Sequence, residues 1–131
     1  MHAIEFNTRA LRVKLDHAEY STRLAQEAIR NYLGTAEANL ASNVYIDLRR
    51  DERDAKDRQD AAYLDYSREA ARVLTAWRAA TPGDTIETFG HLKGTLVNRG
   101  SIAGFIRLDS TTMARRINAE DVKSITPDRV S

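Results

Sequence analysis

The sequence predicts an α+β protein: a long antiparallel helical hairpin, coiled-coil-like, followed by a small five-stranded antiparallel β unit packed on the end of the second helix. Three observations predict it. Residues 1–80 hold one glycine and no proline, whereas 81–131 hold five glycines and both prolines. Sixteen of the nineteen alanines lie before residue 81. Beyond it, short runs of Thr, Ile, Val and Phe alternate with turn residues, the composition of strands and not of helices. The two parts meet at Thr81-Pro82-Gly83-Asp84, where proline cannot continue a helix and glycine permits a turn. The expected domains are therefore residues 1–81 and 82–131.

Helix 1 is expected to start at Asn7 or Thr8, both competent N-caps, and to end at Gly34. Leu11, Leu15, Ala18, Thr22, Ala25, Ile29 and Leu33 recur at spacings of three and four. They form one narrow stripe with small residues at its centre, suited to close helix packing. Helix 2 begins after Thr35, with Glu37 where the helix dipole favours a carboxylate, and runs to about Ala80. Its apolar positions fall into two groups: Leu40, Val44 and Leu48, then Ala62, Tyr66, Ala70, Val73 and Trp77. Between them, residues 49–60 carry five basic and five acidic side chains. This run reads as a solvated helix face. Intrahelical pairs such as Glu52–Lys56, Asp54–Arg58, Arg53–Asp57 and Lys56–Asp60 should each contribute about 0.2–0.5 kcal/mol.

The position of the turn decides what helix 1 covers. A turn at Gly34-Thr35 sets residue 33 against residue 36, so helix 1 covers residues 36–61. A turn at Ala41-Ser42-Asn43 instead gives arms of nearly equal length. Gly34 is preferred, because glycine inside a helix costs about 1 kcal/mol and just past a helix end is favourable. Ala62–Trp77, about 25 Å of helix, then has no helical partner. It must pack on the C-terminal part, on a second copy of the chain, or on both. Tyr63, Tyr66, Ala70, Val73 and Trp77 are the candidate self-association or partner interface, with a homodimer favoured.

Five strands are expected at Thr85–Phe89, His91–Asn98, Ile102–Leu108, Thr112–Ile117 and Lys123–Thr126. Turns separate them at Gly90, Asn98-Arg99-Gly100 and Asp109-Ser110, and a single 3₁₀ turn spans Asn118–Val122. Gly94 is placed where a strand must bend. Ile86, Phe89, Leu96, Ile102, Phe105, Ile106, Leu108, Ile117, Val122 and Ile125 are the expected core. Five strands with a helical turn before the last, over Asp84–Thr126, resemble the small SH3-like or Sm-like β-barrels. The resemblance implies a binding platform for peptide, protein or RNA, on a fold that hosts unrelated functions. So small a unit is marginal alone. Docking on Leu74 and Trp77, with Ile4 and Phe6 added as a strand or staple, would complete it.

Composition narrows the chemistry. Twenty basic against nineteen acidic residues leave a formal charge of +1, which excludes recognition through bulk charge. The chain has no cysteine, so thiol catalysis, disulfides and Cys-ligated zinc are excluded. With no apolar run of membrane-spanning length and no apolar leader at Met1–Phe6, the expectation is a cytoplasmic protein with no membrane partner. His2, His17 and His91 lack metal-ligand or triad spacing, and Ser42, Ser67, Ser101 and Ser110 lack a nucleophile context. No enzyme activity, metal or cofactor is expected.

Two binding functions remain. The leading one is a non-enzymatic interaction protein of adaptor or inhibitor type, such as a phage or bacterial accessory protein acting on a host factor. Arginine outnumbers lysine sixteen to four, and arginine is the better residue for bidentate contacts. The alternative is nucleic-acid binding through the basic rim Lys93, Arg99, Arg107, Arg115 and Arg116, with Phe89 and Phe105 as stacking residues. Asp84, Glu87, Asp109, Glu120, Asp121 and Asp128 oppose it by lowering the local charge.

Overall fold

The computed structural model describes residues 2–109 and 112–128. Two helices, α1 (Thr8–Leu33) and α2 (Asn43–Ala79), precede five strands: β2 (Thr85–Thr88), β3 (Lys93–Arg99), β4 (Ala103–Leu108), β5 (Ala114–Asn118) and β6 (Val122–Thr126). A short β1 (Ile4–Glu5) precedes α1, and a 3₁₀ turn (Ala119–Asp121) joins β5 to β6. Ser110, in the expected turn after β4, lies outside the described residues. The chain forms two compact units, Ala10–Tyr66 and Met1–Arg9 with Ser67–Ser131. The division thus falls within both helices and not at residue 81.

In the hairpin unit, Leu15, Thr22 and Ile29 of α1 and Ala55 and Ala62 of α2 are buried, each seven residues from the next on its helix. Half-buried Leu11, Ala18, Ala25 and Tyr32 alternate with the first set, and Tyr45, Leu48, Glu52, Gln59 and Tyr66 with the second. Three-and-four spacing of this kind is a coiled-coil seam. Tyr32 stacks on Tyr45 with ring centroids 6.3 Å apart, and Arg12 lies over the Tyr66 ring at 5.6 Å. These contacts fix an antiparallel register in which Leu15 falls opposite Ala62 and Thr22 opposite Ala55.

That register differs from the expected one, which set Arg12 opposite Asp57. Helix α1 does end before Gly34, whose N–H bonds the Arg30 carbonyl at 3.2 Å. Helix α2, however, starts only at Asn43, because Ser42 is a better N-cap than Thr35. The Ser42 hydroxyl accepts the Tyr45 N–H at 3.1 Å and lies 2.7 Å from the Tyr32 hydroxyl, which also accepts the Asn39 N–H. Both proposed turns therefore contribute one end of a single loop. Leu33, Leu40 and Val44 are exposed, so none of them extends the seam. The charged run is a solvated face, as expected, with every charged side chain but half-buried Glu52 exposed, and Ala55, Glu52 and Gln59 add the positions by which it also meets the seam. The ion pairs formed here are Arg49–Glu52 at 3.0 Å and Arg50–Asp47 at 3.2 Å, in place of the four expected.

In the other unit, six antiparallel strands follow the order β1-β6-β2-β3-β4-β5. The expected five-stranded barrel is thus an open six-stranded sheet, with β1 and β5 at its edges. Strand β1 adds to β6 through Ile4↔Ile125, and the Phe6 N–H continues the ladder to the Lys123 carbonyl. The core joins Phe6, Val73, Trp77 and Ala80 to Ile86, Leu96, Ile106, Ile117, Ala119, Val122 and Ile125. The last turns of α2 and the N-terminal segment therefore complete a sheet too small to bury its own face. Phe105 and Ile102, assigned to the core by type, are exposed. Phe105 alternates with buried Gly104 and Ile106, so the pleat directs it to the opposite face.

Glycine and a short turn make the docking of α2 possible. A Cβ at Gly104 would lie 2.5 Å from the Asn98 carbonyl oxygen and 2.9 Å from Arg99 Cα, with Trp77 Cζ2 at 3.0 Å, so glycine is required by the close approach of β3 as well as by the indole. The Trp77 indole N–H donates to the Gly100 carbonyl at 3.1 Å. Thr81–Asp84 is the expected turn, with the Asp84 N–H bonded to the Thr81 carbonyl and Gly83 at φ 102°. Buried Asp84 accepts the N–H groups of Thr81 and Asp128 at 2.9 and 3.0 Å. The bend of β3 lies between Leu96 and Asn98, after Gly94, which pairs regularly with Ile86 and Leu108.

Candidate functional site

The residues expected to form a partner interface do not share a surface. Val73 and Trp77 are 1% and 0% exposed in the sheet unit's core, Tyr66 and Ala70 are half-buried, and only Tyr63 is exposed. Val73 and Trp77 pack within the chain, in the core of the sheet unit, and present no surface to a second copy.

The five basic residues of the expected rim divide into three groups. Arg99 is committed to the end of α2: its guanidinium donates to the Ala80 carbonyl at 2.8 Å and to the Arg78 carbonyl. A cation on the last carbonyls of a helix complements its dipole, so Arg99 is a capping residue. Lys93, Arg107 and Arg116 belong to the solvent face of the sheet. The register sets Thr95 beside Arg107 and Phe105 beside Arg116, and paired residues share a face. Arg115 pairs with Ile106, whose side chain enters the core, so Arg115 stands on the inner face at the edge of the sheet.

There it borders a cleft of about 420 Å³ lined by Arg9, Thr88, Phe89, Gly90, Leu92, Arg115, Arg116, Ile117, Asn118 and Asp121. The cleft lies where the sheet stays open, between the edge strand β5 and the β2–β3 turn. That turn is tightly held: the Thr88 N–H donates to the Leu92 carbonyl, the Leu92 N–H to the Thr88 hydroxyl, and His91 adopts φ 67°. Opposite it, the Phe89 N–H donates to the Asp121 carbonyl at 2.9 Å.

Arg9 is the member that sequence reasoning missed. It sits in the first turn of α1, where nothing in the spacing links it to residues 80 or more positions away. Its guanidinium donates to the Phe89 carbonyl at 3.1 Å and lies 5.6 Å from the Phe89 ring centroid. Both contacts hold the charge at the mouth of the cleft. One guanidinium, that of Arg9, thus lies over a half-buried aromatic ring in a cleft that Arg115 and Arg116 also line, with one carboxylate, Asp121, among its described lining residues. Such an arrangement favours an anionic ligand with an apolar or planar part, since arginine pairs bidentately with carboxylate and phosphate.

Among the described residues, no group of three His, Asp or Glu side chains is placed to hold a metal ion, and no helix is long and apolar enough to cross a membrane. No family model, curated protein or solved structure matches the chain.

Proposed function

We propose that this chain is a non-enzymatic interaction protein whose sheet unit binds an acidic segment of a protein partner in the arginine-lined cleft. One observation carries the reading: Arg9 lies over Phe89 in a cleft that Arg115 and Arg116 also line and in which Asp121 is the one carboxylate among the described residues. Each exposed arginine–carboxylate contact contributes about 1 kcal/mol or less, so three or four in register are needed for useful affinity.

A second reading, binding of single-stranded nucleic acid, is supported by Phe105. Phe105 is 42% exposed on the solvent face, in register with Arg116 and beside Arg107. The two readings share Arg116 at the edge of the sheet and otherwise use its opposite faces. Fluorescence anisotropy with a glutamate-rich octapeptide and an eight-nucleotide oligothymidylate, at low and physiological salt, separates them. The acidic-segment reading predicts peptide binding that Arg9→Ala and Arg115→Ala each weaken and Phe105→Ala leaves unchanged. Oligonucleotide binding lost in Phe105→Ala, with no peptide binding, would establish the second reading instead.

A further inference from the structure

We propose that the partner segment binds as an added β-strand along the free edge of β5, antiparallel or parallel to it, with its backbone on Arg116 and Asn118. This inference rests on the acidic-segment reading and specifies its mode. The backbone pattern supplies the argument. In an antiparallel ladder, each residue directs both its N–H and its C=O either to the neighbouring strand or away from it, in alternation. The Ala119 N–H donates to the Ile102 carbonyl at 2.8 Å, which makes 119 a residue facing β4. Continuing the pairing Ile117↔Gly104 and Arg115↔Ile106 sets 117 and 115 toward β4 as well. Ala114, Arg116 and Asn118 therefore direct their backbone groups away from the sheet.

Strand β5 is the last of the order and, among the described residues, has no neighbour on that side. Arg116 and Asn118 both line the cleft, so the outward-facing groups open onto it. An exposed row of this kind is a template for another strand. Added strands draw affinity from such main-chain bonds and specificity from alternate side chains.

The side chains around that edge define the sequence it would accept. A strand laid beside β5 has one face toward the interior side, where Arg115, Arg9 and Phe89 stand, and one toward the solvent face, where Arg116 stands. Acidic residues at alternate positions meet Arg115 and Arg9. Arginines along the edge also block indiscriminate pairing, because a neutral or basic strand gains no compensating contact. The charge complementarity and the unpaired backbone thus select one occupant: an extended, alternately acidic peptide.

The test uses the full chain and a fluorescein-labelled octapeptide alternating glutamate and threonine, with a glutamine–threonine octapeptide as the neutral control. Two further versions carry backbone N-methyl groups on the glutamates or on the threonines. Strand addition predicts that one methylated version binds at least tenfold more weakly than the parent while the other binds within about twofold. It also predicts that Asn118→Pro, which removes one outward N–H at an edge, weakens binding while Asn118→Ala does not. Thermal unfolding of both variants shows whether the fold is retained. If both methylated versions bind like the parent, strand addition is overturned and the acidic-segment reading stands. If the acidic peptide binds no better than the neutral one, both fall.

Discussion

Glu69 joins three segments of the sheet unit. Its carboxylate accepts the Asn7 N–H at 2.9 Å and two bonds from the Arg72 guanidinium at 2.6 and 3.1 Å, while Arg72 reaches the Glu5 carbonyl and lies over the Phe6 ring. The Arg72 hydrogen bonds lower the Glu69 pKa below its ordinary 4.5; burial opposes the shift, and the Asn7 N–H adds to it. The native state therefore keeps the carboxylate charged at lower pH than the unfolded chain does. Its stabilisation is complete above the ordinary carboxylate range and is lost as pH falls through the lowered native value. Glu69→Gln should lose about 1–2 kcal/mol at neutral pH, the half-exposed Arg72 limiting the effect, and should be nearly harmless in acid. Urea unfolding of both proteins at pH 7 and at the lowest pH at which both still fold measures it, the difference shrinking as the pH falls. Equal losses at both pH values would contradict the account.

Two other residues make opposite predictions. The buried Thr8 hydroxyl has no hydrogen-bond partner among the described residues. Thr8→Val keeps its shape and removes the unpaired group, so stability should rise by about 1 kcal/mol. Gly83 stands at φ 102°, with Asp128 Oδ2 3.0 Å from where a Cβ would lie. Gly83→Ala should cost about 1–2 kcal/mol or more. Thermal denaturation orders the three proteins as Thr8→Val, wild type, Gly83→Ala.

At the scale of elements, the seam of the hairpin is built from small side chains. Ala55 and Ala62 are 2% and 4% exposed, opposite Thr22 and Leu15. Ala55→Leu should therefore overpack the seam and cost about 1–3 kcal/mol, whereas Lys56→Leu, one position away and exposed, should be near neutral. Equal effects in chemical denaturation would remove the seam. The strands were readable to within about two residues, because pleat alternation and turn residues are local signals. The stripe of α1 was readable for the same reason. The register was not: it depends on whether Thr35 or Ser42 caps α2, and both are acceptable by type. Ala55 was hidden because ten charges surround it in sequence while the seam samples only every third or fourth position.

At the scale of the whole chain, the charge balance read from composition conceals a local imbalance. Acids and bases alternate along α2, yet three arginines meet one carboxylate in the cleft of the sheet unit. Arg115 and Arg116 were identifiable as neighbouring cations in a strand, but their assignment to different faces follows from the pairing with Ile106 and Phe105. Arg9 was not identifiable, because only β1 and the Glu69–Arg72 clamp bring the start of α1 to the β2–β3 turn. Arg99 was misread for a related reason: its role as a cap on α2 depends on a contact across 19 positions.

Amide chemical-shift mapping of the ¹⁵N-labelled chain with the alternating glutamate–threonine octapeptide tests the cleft most directly. The account predicts saturable shifts concentrated at Arg9, Thr88–Leu92 and Arg115–Asn118, and their loss in Arg115→Glu. Shifts concentrated instead at Lys93, Thr95 and Arg107, or along α1, would contradict it, as would saturable binding that Arg115→Glu leaves intact.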